Sequence, residues 1–400
     1  MDVEKFKTTS LPTELFRDIV SHLHMDDPDG KKGLLALALT CSTLREESQR
    51  RIFREMRTDG ALIFSSVVRD VISTHIRFLQ TVYGNPRRLG PYVRSYTQVG
   101  LACPVNAYPH NFQYRNARIS LWEWTAKTLP TLINLKSLIF SPVDTSEDPT
   151  RSLLHGLAGC FQLEALVWTC GWKDEVDITD FLASQYRLRH LDVGDILSGW
   201  LGGLDDTICH SLTSITTSDL LAFAGFAINR NITALQLLPT FIYSATVNLS
   251  YFSIDQAAAL ERLRYLSASG DIYPDFRGAT DEIPLNLVLL EVTVSARSIQ
   301  DHIFRPGSLP ELLLLSLLIR GSLQESEKLH IARIAFETFP KLENIMLCGI
   351  ESNTTWRYSR PNISSSDVDE TITLQEIHAS EEVVNIRRHR GLVWWKVYDV

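Results

Sequence analysis

The sequence predicts an α/β protein in which a small N-terminal helical domain is followed by a curved solenoid with a parallel sheet on its concave face. Two observations predict this fold. Residues 1–57 contain three short helical segments, and the later chain repeats the pattern L-x-x-L-x-L at intervals of 20 to 31 residues. The composition, with 44% hydrophobic and 22% charged residues in a chain of 400, is that of a folded globular protein. We expect four regions: a helical domain (1–57), a linker and N-terminal cap (58–125), the repeats (126–350), and a loop with a C-terminal cap (351–400).

The N-terminal region begins with a helix-start signal at Leu11-Pro12, because proline suits the first position of a helix. Leu15, Ile19 and Leu23 then recur at intervals of four residues, which predicts one amphipathic helix with an apolar stripe. The Gly-, Pro- and Asp-rich segment 24–33 predicts a polar loop.

A second helix is predicted over residues 34–41, and its almost uniformly apolar sequence predicts burial on several sides. A third helical segment follows, with Leu44 near its start and Phe53 near its end. Three such short helices bury little surface of their own. We therefore expect one apolar face of this domain to dock on a partner protein.

These residues resemble an F-box, with the opening and spacing Leu11-Pro12-x-Glu14-Leu15-x3-Ile19-x3-Leu23 and then Leu34-x2-Leu37-Ala38-Leu39-Thr40-Cys41-x2-Leu44. The ending Arg50-Arg51-Ile52-Phe53-Arg54 resembles the basic and aromatic ending of fungal F-box proteins. Leu44 stands where the family usually has an aromatic residue, and the predicted first loop is longer than the family's. The resemblance implies binding to the Skp-type adaptor of a cullin-based ubiquitin ligase through Leu11, Pro12, Leu15, Ile19, Leu23, Leu34, Leu37 and Leu44. The alternative is an ordinary three-helix subdomain.

The repeat pattern occurs nine times, and the interval between successive copies averages about 26 residues, within the range of leucine-rich repeats. One repeat cannot bury its leucines alone, so the copies must stack into a solenoid. The units resemble the irregular leucine-rich repeats of F-box proteins; the alternative is a set of unrelated leucine-rich strands of another α/β fold. The copies begin at Leu135, Leu163, Leu188, Leu212, Ile232, Leu263, Leu287, Leu312 and Leu342.

Side chains that alternate with the leucines are expected on the concave face, because successive strand residues point to opposite sides. These positions include only two formal charges, both acidic, and no Lys or Arg, which favours a protein target over nucleic acid. The alternative is that the C-terminal segment or a long loop covers part of this face. The predicted target-binding residues are His190, Asp192, Gln236, Tyr265, Leu289, Glu291, Leu314 and Asn344.

Other function classes find little support in the sequence. The net charge of −8 disfavours binding to duplex nucleic acid, and no apolar run reaches the roughly 18 residues that span a bilayer. The N-terminus lacks a signal-peptide core, and the six scattered cysteines indicate free thiols, so we expect a cytoplasmic or nuclear protein. His22-x-His24 and the loop aspartates lack the ligand number of a metal site, and no catalytic motif or cofactor site is present.

The sequence thus favours a non-enzymatic substrate receptor that binds a Skp-type adaptor, through it a cullin, and an unidentified target protein. The second hypothesis is a leucine-rich-repeat interaction scaffold with no link to ubiquitination. The third is an enzyme whose catalytic residues carry no recognisable motif.

Overall fold

The computed structural model describes residues 12–25, 27–57, 68–102, 114–141, 154, 156–168, 175–192, 201, 203–238, 253–269, 285–296, 299, 309–350, 355–360 and 373–377. The chain divides into two compact units. The first comprises residues 1–149 and 156–163, and the second comprises residues 150–155 and 164–400.

The first unit opens with three helices, which we call the N-terminal helical module: α1 (Thr13–Ser21), α2 (Pro28–Leu37) and α3 (Ser42–Ile52). The prediction of a loop up to Gly33 was wrong, because α2 begins six residues earlier than expected. Asp27 caps this helix by accepting hydrogen bonds from the backbone N–H of Asp29 (3.2 Å) and Gly30 (2.9 Å), and Pro28 occupies the first turn. The connection between α1 and α2 is correspondingly short.

The rest of the first unit combines helices with three parallel strands. The strand pairs are β1 with β2 and β2 with β3, so that Glu55, Ser95 and Ser137 lie side by side. Short 3₁₀ turns cover Gly90–Tyr92 and Leu129–Thr131. The elements in order are β1 (Glu55–Met56), α4 (Val68–Gly84), α5 (Pro86–Leu89), β2 (Ser95–Val99), α6 (Arg115–Thr128) and β3 (Ser137–Ser141).

The second unit contains a mostly parallel sheet whose neighbouring strands follow one another in the sequence. Its described strands are β4 (Ala165–Trp168), β5 (His190–Asp192), β6 (Ser214–Thr217), β7 (Ala234–Leu237), β8 (Tyr265–Ser269), β9 (Leu289–Ser295), β10 (Leu314–Arg320), β11 (Asn344–Gly349), β12 (Thr355–Ser359) and β13 (Thr373–Ile377). Its helices are α7 (Glu175–Ala183), α8 (Leu220–Ala227), α9 (Ile254–Glu261) and α10 (Glu325–Thr338). The prediction of a mixed α/β fold with a mainly parallel sheet is therefore confirmed.

Each of the nine L-x-x-L-x-L copies coincides with one strand, from β3 to β11. The apolar positions of the pattern are buried wherever their side chains are described, and they form the core beneath the strands. One row of this core runs across eight paired strands of the second unit, and its members are Leu166, Leu191, Ile215, Leu235, Leu266, Leu290, Leu315 and Ile345. Val193, an apolar position of the third copy, lies outside the described residues.

The C-terminal part differs from the loop that was predicted at the start of residues 351–400. Only five residues separate strand β12 from β11, with which it pairs antiparallel, and β13 pairs antiparallel with β12. The aromatic residues of β12, Trp356 and Tyr358, favour a strand over the loop that the surrounding Ser and Asn residues suggested. Residues 378–400, which include the end of the predicted C-terminal cap region, lie outside the described residues.

Candidate functional site

The N-terminal helical module has a compact core around α2. Leu34 is fully buried, and Val20 of α1 is almost so. Gly30 lies against the chain before α2, where a Cβ atom would stand 2.4 Å from the carbonyl oxygen of His24. Only glycine permits this close approach, which fixes how α2 packs beside the end of α1.

A buried carboxylate joins the helices of the module. Glu47 of α3 lies 3.6 Å from Arg17 of α1 and accepts a hydrogen bond of 3.3 Å from Arg50. Arg50 lies in the same helix as Glu47, so the contact that joins α1 to α3 is the one between Arg17 and the largely shielded Glu47 carboxylate.

Four large aliphatic side chains of the module remain exposed, and we call them the apolar surface. Leu15 and Ile19 of α1 are 46% and 47% exposed. Leu35 of α2 and Leu39 just beyond it are 51% and 82% exposed. Each pair is separated by four residues, so its members lie on one side of their helix or helical turn. Large aliphatic side chains grouped in this way on a small module are unusual for a surface that stays in water.

The predicted adaptor-binding residues divide into several groups. Pro12, Leu15 and Ile19 are exposed, and Leu11 lies outside the described residues. Leu34 requires a correction, because it belongs to the core of the module and offers no surface to a partner. The half-buried residues of the set are Leu23, Leu37 and Leu44.

Sequence reasoning missed Leu35 and Leu39 as surface residues. The almost uniformly apolar sequence of residues 34–41 predicted burial on several sides, but only one side of α2 packs within the module. Their spacing of four residues was the signal that they form one stripe.

The module is joined to the following part of the first unit by backbone pairing. Strand β1 directly follows α3 and lies parallel to β2, and the N–H of Arg94 donates to the carbonyl of Arg54 at 2.7 Å. The Arg88 guanidinium also donates to the Gln49 side chain at 2.5 Å.

The predicted target-binding residues share one face of the second unit's sheet, as the strand register shows, and we call it the sheet face. One row comprises His190, Ser214, Ala234, Tyr265, Leu289, Leu314 and Asn344, and the next comprises Asp192, Thr216, Gln236, Ser267, Glu291, Ser316 and Met346.

Neighbouring strands of the sheet face are connected by side-chain hydrogen bonds. The Ser267 hydroxyl donates to Glu291 at 2.8 Å, and the Thr216 hydroxyl donates to Gln236 at 3.3 Å. Asn344 accepts from the guanidinium of Arg357 at 3.0 Å and from a neighbouring hydroxyl at 2.8 Å. The polar groups of this face therefore bond largely to one another.

The sheet face is largely shielded from water in this structure. Of the eight predicted target-binding residues only Tyr265 is more than 8% exposed, and it packs with Met346 against the buried pair Leu289 and Leu314. These residues are together on one face, as predicted, but a target could reach most of them only if this face were uncovered. Their role in target binding stays a prediction.

His190 of this face is a buried ionisable group. Its Nδ1 lies 3.0 Å from the Ser214 hydroxyl, and its Nε2 is buried without a hydrogen-bond partner. Burial lowers the pKa of His190 to about 3, so the ring is neutral at neutral pH.

Within the ranges that the structure describes, no group of three or more His, Cys, Asp or Glu residues is placed to hold a metal ion. No helix among the same residues is long and apolar enough to cross a membrane. The sequence matches no protein-family model and no curated protein.

Proposed function

We propose that the chain is the substrate-recognition subunit of a Skp–cullin–F-box ubiquitin ligase. The N-terminal helical module is the F-box and binds a Skp-type adaptor, through which it reaches a cullin. The strand-by-strand repeats form a leucine-rich-repeat solenoid that holds a target protein. The chain supplies no catalytic group, and ubiquitin transfer to the target is accelerated by proximity.

The apolar surface carries this proposal. Leu15 and Ile19 lie on α1, Leu35 lies on α2 and Leu39 directly follows α2, all within the segment that resembles an F-box. The short connection between α1 and α2 also removes one departure from the family pattern that the sequence suggested, since Asp27 and Pro28 start the second helix early.

The repeats support the second half of the proposal. One strand per copy, parallel pairing in sequence order and a continuous row of buried leucines are the features of stacked repeats. The mainly neutral side chains of the sheet face suit recognition of a protein by shape and hydrogen bonding, and binding there requires this largely buried face to be uncovered.

The test is co-purification of a Skp-type adaptor with the full-length chain. The variant Leu15→Ala/Leu39→Ala removes two exposed anchors, and Ile133→Ala/Leu329→Ala is the matched control with two exposed aliphatic residues elsewhere. The proposal expects the adaptor with the wild-type chain and the control, and its loss from the first variant. An adaptor that never co-purifies with the folded wild-type chain would contradict the proposal.

The second candidate function is a leucine-rich-repeat scaffold not coupled to ubiquitination. The burial of Leu34 within a closed module core favours it, since such a module can also serve as a stable N-terminal cap. Stable binding of the chain to a target protein without any adaptor, and an unchanged target level when the chain is deleted, would favour the scaffold.

A further inference from the structure

The exposed side of α2 carries one straight row of side chains, which we call the Lys31 row. Lys31, Leu35 and Leu39 follow one another at intervals of four residues, so they lie on one side of the helix and of the turn that continues it. All three side chains are exposed. The row therefore begins with a cation and continues with two aliphatic side chains in water.

The positive charge at the start of this row is not used within the module. Lys31 forms no ion pair with any residue that the structure describes. The neighbouring Lys32 pairs with Asp29 at 3.1 Å, but both partners of this pair are exposed, so it contributes little to stability. Lys31 is thus placed to attract a carboxylate of a partner beside the two leucines.

Helix α1 has a similar pattern with the opposite charge. Glu14 and Asp18 each precede by one residue a member of the exposed aliphatic pair of this helix, so an acidic row runs beside the apolar one. Both carboxylates are exposed, and neither forms an ion pair within the described ranges. Arg17 of the same helix lies 3.6 Å from Glu47 of α3 instead.

We propose that a second copy of the chain covers the apolar surface, with α1 of each copy packed along the Lys31 row of the other. The two leucines of the row then pack against Leu15 and Ile19. Lys31 meets Asp18 if the two helices run antiparallel and Glu14 if they run parallel. Both copies hold both helices, so a two-fold axis forms the contact twice and closes the assembly as a dimer.

The charges favour a second copy over a partner of uniform charge. A wholly acidic surface would suit Lys31 but would be repelled by Glu14 and Asp18, and a wholly basic surface would meet the reverse. The occupant must therefore carry both charges, each beside an aliphatic pair of the same spacing, and a second copy does. The dimer shares its surface with the proposed adaptor site but requires no adaptor, so it does not depend on the proposed function.

The experiment is sedimentation velocity of the full-length chain without an adaptor, at concentrations from about 1 to 100 μM. The first variant is Leu35→Ala/Leu39→Ala, which shortens the two leucines of the Lys31 row. Its control is Ile133→Ala/Leu329→Ala, with two exposed aliphatic residues elsewhere. Circular dichroism reports whether each variant is folded.

Reversal of charge provides a second test that does not rely on the loss of apolar contacts. The two variants are Glu14→Lys/Asp18→Lys and Lys31→Glu/Lys32→Glu. Each variant alone places like charges against each other at both contacts, whereas a mixed pair of the two variants restores opposite charges at both. The matched control reverses two exposed cations of α4 and is Arg69→Glu/Arg77→Glu.

We expect the wild-type chain and both controls to form a dimer with equal affinity. The affinity should fall by about tenfold or more in Leu35→Ala/Leu39→Ala and in each charge reversal, and an equimolar mixture of the two reversals should recover it to within about threefold. Recovery on mixing would show that the folded variants fail alone because of their charges.

A folded wild-type chain that stays monomeric at about 100 μM would overturn the proposal. A mixture of the two reversals that associates no better than either alone would also overturn it, as would wild-type affinity in Leu35→Ala/Leu39→Ala. Because no adaptor is present, failure of the chain to bind an adaptor leaves each of these results unchanged.

Discussion

The Phe53 ring stacks on the Phe78 ring with centroids 5.7 Å apart and planes inclined by 28°. Phe53 directly follows α3 of the N-terminal helical module, and Phe78 lies in α4. The Phe78 ring also stacks on Tyr96 of β2, at 6.5 Å. This aromatic series ties the module to the first strands, so an adaptor on the module would be held in a fixed position relative to them.

Replacement of Phe53 by Ala should loosen this connection. The half-buried ring should contribute about 2 kcal/mol, less than a fully buried phenylalanine. Hydrogen exchange of the full-length variant should show faster exchange of the α3 and α4 amides, while β9 and β10 of the second unit keep their protection. Phe53→Leu, which preserves much of the apolar volume, should show a smaller effect. Unchanged exchange in Phe53→Ala would show that the stacked rings contribute little to the connection.

Replacement of Gly30 by Ala should disrupt the N-terminal helical module. The new Cβ atom would stand 2.4 Å from the backbone oxygen of His24, so α2 or the preceding chain must move. Gly84→Ala is the matched control, because no atom lies within 4 Å of its added Cβ. We expect Gly30→Ala to lower helix content by circular dichroism and accelerate α2 amide exchange, whereas Gly84→Ala leaves both unchanged. If the α2 amides of Gly30→Ala exchange at the wild-type rate, residue 30 is not packed as closely against the backbone of His24 as the structure shows.

Arg230 should be a large contributor to the stability of the second unit. Its buried guanidinium donates to the carbonyls of Phe226 (2.6 Å), Asp205 (2.7 Å) and Ile208 (3.2 Å). Arg230→Met would leave these acceptors without their donor and should cost about 3 kcal/mol. Arg230→Lys should recover less than half of the loss, because an ammonium group cannot reproduce the planar fork.

The measurement for Arg230 is the urea midpoint of the full-length chain, with the exposed Arg333→Met as the control. The midpoint should fall for Arg230→Met and stay at the wild-type value for Arg333→Met. Equal midpoints for the two variants would contradict the structural role of Arg230.

Stability should fall in mild acid because two histidines are buried in their neutral form. Burial lowers the pKa of His75 to about 4 and that of His190 to about 3, from 6.5 in an unfolded chain. At pH values between these lowered pKa values and 6.5, the unfolded chain binds more protons than the folded chain. The stability contributed by the neutral rings is therefore complete above pH 6.5 and is lost as the pH falls towards 4 and 3. At pH 5 the burial of each neutral ring should lower the free energy of unfolding by about 2 kcal/mol relative to neutral pH.

Urea midpoints at pH 7.5 and pH 5 measure this dependence. His190→Gln retains a polar group beside Ser214 and should reduce the difference between the two midpoints, whereas exposed His22→Gln should leave the difference unchanged. If His190→Gln and the wild-type chain lose the same stability between these pH values, His190 does not titrate as proposed.

The regular part of the fold could be predicted from the sequence because burial imposes a repeating pattern. Leu166, Leu191 and Ile215 occupy the same place in successive copies, and the strands align them in one row. The start of α2 was missed because the Gly and Pro residues that usually mark a loop here provide a cap and a close contact instead. Asp27 followed by Pro28 was the signal that distinguishes the two.

The surface sites were less accessible to sequence reasoning. Exposure of Leu35 beside buried Leu34 depends on which side of α2 packs, and the apolar run that starts at Leu34 does not determine that side. Likewise, the alternation of the sheet face was predictable, but its burial was not.

The most direct measurement of the central claim is the affinity of the purified full-length chain for a purified Skp-type adaptor. A titration should give specific binding by the wild-type chain and by Ile133→Ala/Leu329→Ala. The affinity should fall at least tenfold, about 1.4 kcal/mol or more, in Leu15→Ala/Leu39→Ala. Equal affinity of both variants, with both folded by circular dichroism, would show that the apolar surface is not the adaptor site. Failure of the folded wild-type chain to bind would contradict the assignment of the N-terminal helical module as an F-box.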